Sequence, residues 1–129
     1  MNGWLSKEGH FFKTWKSRFF SLSANGLEYF SDETKTKKKG CYGLDCESSC
    51  NKIEDRKGRL NLFVLQAKGG NKSDTIILSA TSLEDRDGWI VAINACITAI
   101  REAADTRLHS VLLSATSDNP RVPSSEKCI

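Results

Sequence analysis

The segment Trp15-Lys16-Ser17-Arg18-Phe19-Phe20-Ser21-Leu22 constrains this chain more than any other. Side chains two apart in a strand share a face, so Lys16, Arg18, Phe20 and Leu22 line one side. That side is cationic at one end and apolar at the other. Such a gradient suits a small barrel, whose interior takes the apolar end while the cationic end rims the mouth. The simpler alternative is a solvated edge guarded by lysines, but Phe20 and Leu22 argue against a face given wholly to water. Upstream, Gly3-Trp4-Leu5-Ser6-Lys7 reads as a preceding antiparallel strand, with residues 8 to 14 as the connection. That pairing brings Lys7 into register with Lys16 and Arg18.

Seven strand-like segments precede one helix. They run over residues 3–7, 15–22, 27–30, 40–44, 49–54, 60–66 and 75–80. Asn25-Gly26 signals a tight hairpin whose two central residues take positive φ. The polar, lysine-rich run from Ser31 to Lys39 reads as a loop, as do residues 55–58 and 68–74. Ser82 followed by Asp85 resembles a capping box, and Glu84 and Asp85 suit the positive end of a helix dipole. Trp89, Ile93, Cys96 and Ile100 recur at spacings of four, three and four, the pattern of one buried helix face. Trp89 is large enough to plug an open barrel end, and Cys96 reads as a core filler. The expected fold is therefore mainly β: a seven-stranded bent sandwich or barrel capped by a C-terminal amphipathic helix. The domain is expected to span 2–104. Residues 105–129 read as a largely disordered tail, with room for the helix to run past Arg107.

Charge is unevenly placed. Residues 1–40 hold eight Lys/Arg against four Asp/Glu, whereas residues 41–100 hold seven against eight. A basic pole attracts anionic surfaces, lipid headgroups or nucleic acid. Nucleic acid is disfavoured, because neither a recognition helix nor an aromatic stacking signature accompanies the charge. No apolar run approaches the ~20 residues needed to cross a bilayer, and no export signal is evident, so membrane contact is expected to be peripheral. The five cysteines (41, 46, 50, 96 and 128) are an odd count and read as reduced thiols of a cytosolic protein. Cys46 and Cys50 have no second pair and no nearby histidine, so no metal site is expected. No nucleophile elbow, phosphate-binding glycine loop, metal-protease motif or triad is present, so neither catalysis nor a cofactor is expected.

Gly3-Trp4-Leu5-Ser6-Lys7 followed by Lys13-Thr14-Trp15-Lys16-Ser17-Arg18-Phe19-Phe20 resembles the opening of a pleckstrin-homology (PH) domain. It is similar to the 3-phosphoinositide-binding subset found in cytohesins and protein kinase B. The resemblance continues through Gly26-Leu27-Glu28-Tyr29-Phe30 and Lys39-Gly40-Cys41 to the helix bearing Trp89. It implies a cytoplasmic phosphoinositide-binding module, recruited peripherally to the plasma membrane by phosphatidylinositol 3,4,5-trisphosphate or the 3,4-bisphosphate. It also implies site residues. Lys7 and Arg18 would grip ring phosphates with Lys16 beside them, Lys13 would approach the phosphate nearer the lipid, Tyr29 would donate its hydroxyl, and Lys39 would supply a further cation. An Arg fork and mobile Lys charges are the donor types such a ligand needs.

Two departures from the family pattern stand out. Phe11-Phe12 occupies a place where cytohesin-like relatives carry a further basic residue, and the 68–74 loop is short. The two phenylalanines suggest insertion into the lipid interface; the alternative is that one packs inward. Tyr29 has the alternative of a packed sheet residue, and Lys35, Lys37 and Lys38 that of solvated loop charges. The rival function is a protein-interaction module on the same fold, binding a peptide by strand addition or in a helix–sheet groove.

Overall fold

The computed structural model describes residues 1–9, 14–56, 58–69 and 73–115. Seven antiparallel strands appear in chain order: β1 (Asn2–Glu8), β2 (Trp15–Ser23), β3 (Gly26–Phe30), β4 (Lys38–Gly43), β5 (Ser49–Lys52), β6 (Leu62–Ala67) and β7 (Asp74–Ser79). They form one sheet in the order β4-β3-β2-β1-β7-β6-β5, followed by the helix α1 (Leu83–Ala115). The β1–β7 pairing is short, joining Ser6 to Ser79 and Lys7 to Leu78. It hinges the two halves of the sheet so that their inner faces meet.

Alternation decides which residues meet there. Leu5, Phe20 and Leu27 from one half, and Phe63, Leu65, Ile76 and Leu78 from the other, form one buried cluster. Trp89, Ile93 and Ile97 of α1 complete it, with Trp89 fully buried. Gly3 lets the indole in: a Cβ there would lie 3.3 Å from the Trp89 ring. The helix begins as its sequence dictates. Ser82 accepts the Asp85 amide proton on its hydroxyl at 3.0 Å, and Glu84 and Asp85 occupy the first turn. Asn94 and Arg101 then donate to the carbonyls of Cys50 and Cys46, both at 2.9 Å, and tie the helix to β5 and the loop before it.

The open side is closed by backbone. The Gly69 amide donates to the Gly43 carbonyl at 3.0 Å, which joins the end of β4 to the chain leaving β6. A Cβ on Gly69 would come within 2.4 Å of the Gly43 carbonyl carbon, so only glycine permits this approach. Beside it the Ser48 hydroxyl, itself buried, accepts the amides of Asp45 and Lys68.

Two local expectations need correction. The β2–β3 hairpin turns at Ala24-Asn25 with Ser23 opposite Gly26, and neither turn residue has positive φ. Gly26 is needed for space instead, since a Cβ there would lie 2.6 Å from the Tyr42 carbonyl oxygen. On α1 the deepest residues are Trp89, Ile93 and Ile97, while Cys96 and Ile100 are only partly buried at the flank. A stripe at 3.6 residues per turn drifts, and here Ile97 lies nearer its centre than Cys96. The helix runs past Arg107, as the sequence left room for, and continues to Ala115. Residues 116–129 lie outside the described residues.

Candidate functional site

The β1–β2 register is continuous from Asn2↔Ser21 to Glu8↔Trp15. It sets Lys7 directly opposite Lys16, and Arg18 opposite Leu5, one step diagonally from Lys7. All three share the inner face with Leu5 and Phe20, at the end where that face leaves the core. Like charges directly opposite each other destabilise a strand pair. Among the described residues neither Lys7, Lys16 nor Arg18 forms an ion pair. Within the described residues the Arg18 side chain donates to the neighbouring Ser17 carbonyl, at 2.8 Å. Three cations thus share this face, and among the described residues none of them is ion-paired to a carboxylate.

The site has an aromatic wall. Phe20, Tyr29 and Tyr42 stack from β2 through β3 to β4, with successive centroids 5.3 Å apart. Gly40 makes room for this, because a Cβ there would sit 2.5 Å from the Tyr29 hydroxyl. The Lys7 side chain crosses β2 toward the wall, its Nζ lying 5.5 Å from the Tyr29 ring centroid and 6.0 Å from that of Tyr42. Burial pushes the Tyr42 phenol well above the usual tyrosine range, aided by hydrogen bonding and charge from Tyr29 and by the Asp74 carboxylate. It stays a neutral phenol throughout the physiological range.

The structure gathers Lys7, Lys16, Arg18 and Tyr29 as the sequence leads one to expect. Lys39 is exposed in a bulge: Tyr29 pairs with Gly40 and Phe30 with Lys38, leaving Lys39 as the extra residue beside Gly40. The neighbouring lysines are engaged elsewhere. Lys38 bonds Glu28 at 2.8 Å, which raises its pKa through the hydrogen bond and then the charge. Lys35, with φ 59°, donates to the Ser21 hydroxyl at 3.3 Å on the outer face. Phe11, Phe12 and Lys13 lie outside the described residues. Tyr42 and Asp74 are the members that sequence reasoning missed. Tyr42 could have been found from its parity with Gly40, two residues earlier on the same strand face. Asp74 has no such signal, because only the folded sheet carries its charge to Tyr42.

The family model for the PH domain matches residues 1–98 of the chain. Among curated proteins, the chain is similar to mouse "Differentially expressed in FDCP 6", 34% identical over 112 residues, 85% of this chain and 17% of that protein. It is also similar to human cytohesin-4, 35% identical over 115 residues, 76% of this chain and 29% of that protein. The chain therefore spans less than a third of these relatives. Among solved structures, a pleckstrin homology domain solved in solution superposes with a TM-score of 0.65 at 28% identity, covering 78% of this chain and 87% of that one. The C-terminal PH domain of pleckstrin, in complex with D-myo-Ins(1,2,3,5,6)P5, superposes with a TM-score of 0.66 at 26% identity, covering 75% and 93%.

Proposed function

This chain belongs to the PH domain family, and on that premise we propose that it is a phosphoinositide-binding membrane-recruitment module. The headgroup is that of phosphatidylinositol 3,4,5-trisphosphate or the 3,4-bisphosphate. The observation that carries this reading is the trio of Lys7, Lys16 and Arg18 on the inner face of β1 and β2, none of them ion-paired among the described residues. A folded chain gains nothing from setting Lys7 opposite Lys16, whereas a polyphosphorylated ring resolves the repulsion. Arg18 supplies the planar fork, Lys7 and Lys16 the mobile charges, Tyr29 a hydroxyl and Lys39 a cation from the β4 bulge. The pleckstrin domain similar in fold is itself seen with an inositol pentakisphosphate. The resemblance of Lys13-Thr14-Trp15-Lys16-Ser17-Arg18 to the 3-phosphoinositide-binding subset supports the isomer.

Attachment is peripheral in this reading. Among the described residues no helix is long and apolar enough to cross a membrane. Phe11 and Phe12 enter the lipid interface while Lys13 meets the phosphate nearest the lipid, and the module brings whatever it is joined to onto the plasma membrane. It works by binding, not by catalysis.

Co-sedimentation with phosphatidylcholine vesicles tests this. One set carries the trisphosphate lipid, and the other carries phosphatidylserine at matched charge. The wild type should prefer the trisphosphate, and Arg18→Ala should lose at least about tenfold, the scale of a charge-assisted bidentate contact at about 2–3 kcal/mol. Equal binding by wild type and Arg18→Ala, or equal binding to both vesicle types, would refute the assignment.

A further inference from the structure

Lys7 and Lys16 repel each other across the strand pair, and a lone lysine so placed would swing its ammonium out to water. Lys7 does not: its Nζ reaches across β2 to lie 5.5 Å from the Tyr29 ring and 6.0 Å from the Tyr42 ring. The two rings stack 20° from parallel with centroids 5.3 Å apart, and the Lys7 ammonium lies within cation–π range of both. Tyr29 belongs to the site already described. Tyr42 belongs to its aromatic wall but has no stated role in holding the headgroup, and it supplies the second ring beneath Lys7. It is itself well held: Tyr29 lies on one side, its carbonyl oxygen is packed against Gly26, and the next residue, Gly43, is bound to Gly69.

We propose, resting on the binding reading above, that Tyr42 is a positioning residue for headgroup recognition: its ring holds the Lys7 ammonium inside the mouth, against the repulsion of Lys16, in the place where a ring phosphate is met. A cation over a ring keeps its opposite side free for an anion, so the contact need not be broken when phosphate arrives. Tyr42 thereby lowers the ordering cost of a flexible lysine on binding. It acts through its π face, and its hydroxyl is dispensable for this role.

The test is a double-mutant cycle with soluble inositol 1,3,4,5-tetrakisphosphate as the probe, read by calorimetry. Tyr42→Leu in the wild-type background should weaken binding by about three- to fivefold, the scale of one cation–π contact at a partly exposed site. Tyr42→Phe should restore most of that loss. In the Lys7→Met background, Tyr42→Leu should have no further effect; an equal loss in both backgrounds would overturn the proposal. A second measurement survives a variant that fails to fold. In ligand-free wild type and Tyr42→Phe, the Lys7 Cε proton resonances should be moved upfield by the rings; positions typical of an unstructured lysine overturn the contact. Failure of the parent reading appears separately, as wild-type binding that Arg18→Ala does not weaken.

Discussion

A methyl group added at Gly69 tests how the sheet closes. The new Cβ would lie 2.4 Å from the Gly43 carbonyl carbon, 2.6 Å from its Cα and 2.8 Å from the Leu44 nitrogen. All three are backbone atoms, so no side-chain rotation relieves the clash and the end of β4 must move. Moving it breaks the 3.0 Å bond from the Gly69 amide to the Gly43 carbonyl. The lost bond costs about 1 kcal/mol and overpacking about 1–3 kcal/mol, so Gly69→Ala should destabilise by about 2–4 kcal/mol. For a domain of this size that is a fall of roughly 10–20 °C in melting temperature by scanning calorimetry. Gly58→Ala is the control. Nothing lies within 4 Å of its added Cβ, but its φ of +79° disfavours a side chain, which costs about 1 kcal/mol. If Gly69→Ala melts within about 3 °C of wild type, or above Gly58→Ala, the closure does not depend on glycine-to-glycine backbone contact.

Trp89→Ala, which empties the largest fully buried side chain, should cost about 3–5 kcal/mol in urea denaturation, a large part of a typical domain's stability. Wild-type melting with lost lipid binding would move Trp89 from core to site. Burial pushes the Cys50 thiol up to about 12 from an ordinary 9.0. The protonated thiol is the form that the fold favours, so its contribution is full below about pH 9 and is lost as pH climbs toward about 12. Urea midpoints should therefore fall less steeply over that window in Cys50→Ala; identical slopes would contradict the burial. At pH 8, iodoacetamide should label the exposed Cys41 and Cys46 well before Cys50, and equal rates would contradict it too. Replacing Phe11 and Phe12 together by Ser should weaken binding to vesicles by about 1–3 kcal/mol while sparing affinity for the soluble headgroup, which offers the rings no hydrocarbon. A parallel loss of both, with a lower melting temperature, would assign the pair to the core.

Much of the molecule was legible because much of it is local. Seven strand-like segments could be marked out, and on β2 period-two alternation set Lys16, Arg18, Phe20 and Leu22 on a single face. Ser82 announced the start of α1, and Trp89 and Ile93 its buried side. Lys7 could be put in register with Lys16 because one hairpin joins their strands. The end of α1 was left open for a related reason. Polarity beyond Ala104 suggested a tail, yet nothing between Trp89 and Ala115 is a glycine or proline that would stop the helix.

What the chain could not disclose is what depends on which distant segments meet. Gly26 looks like a turn residue and is a spacer for Tyr42; Gly69 looks like loop and is half of the seam with Gly43. Lys35 and Lys38 look like steering charges, but the β3–β4 pairing and the loop beside it turn them to Ser21 and Glu28 on the outer face. Tyr42 reads as one more strand aromatic until the sheet curls and Lys7 arrives from β1, three strands away. Local periodicity sets the face on which a side chain stands. Only the curvature of the sheet and its closure decide which other faces it confronts, because those contacts join residues that no short-range pattern links.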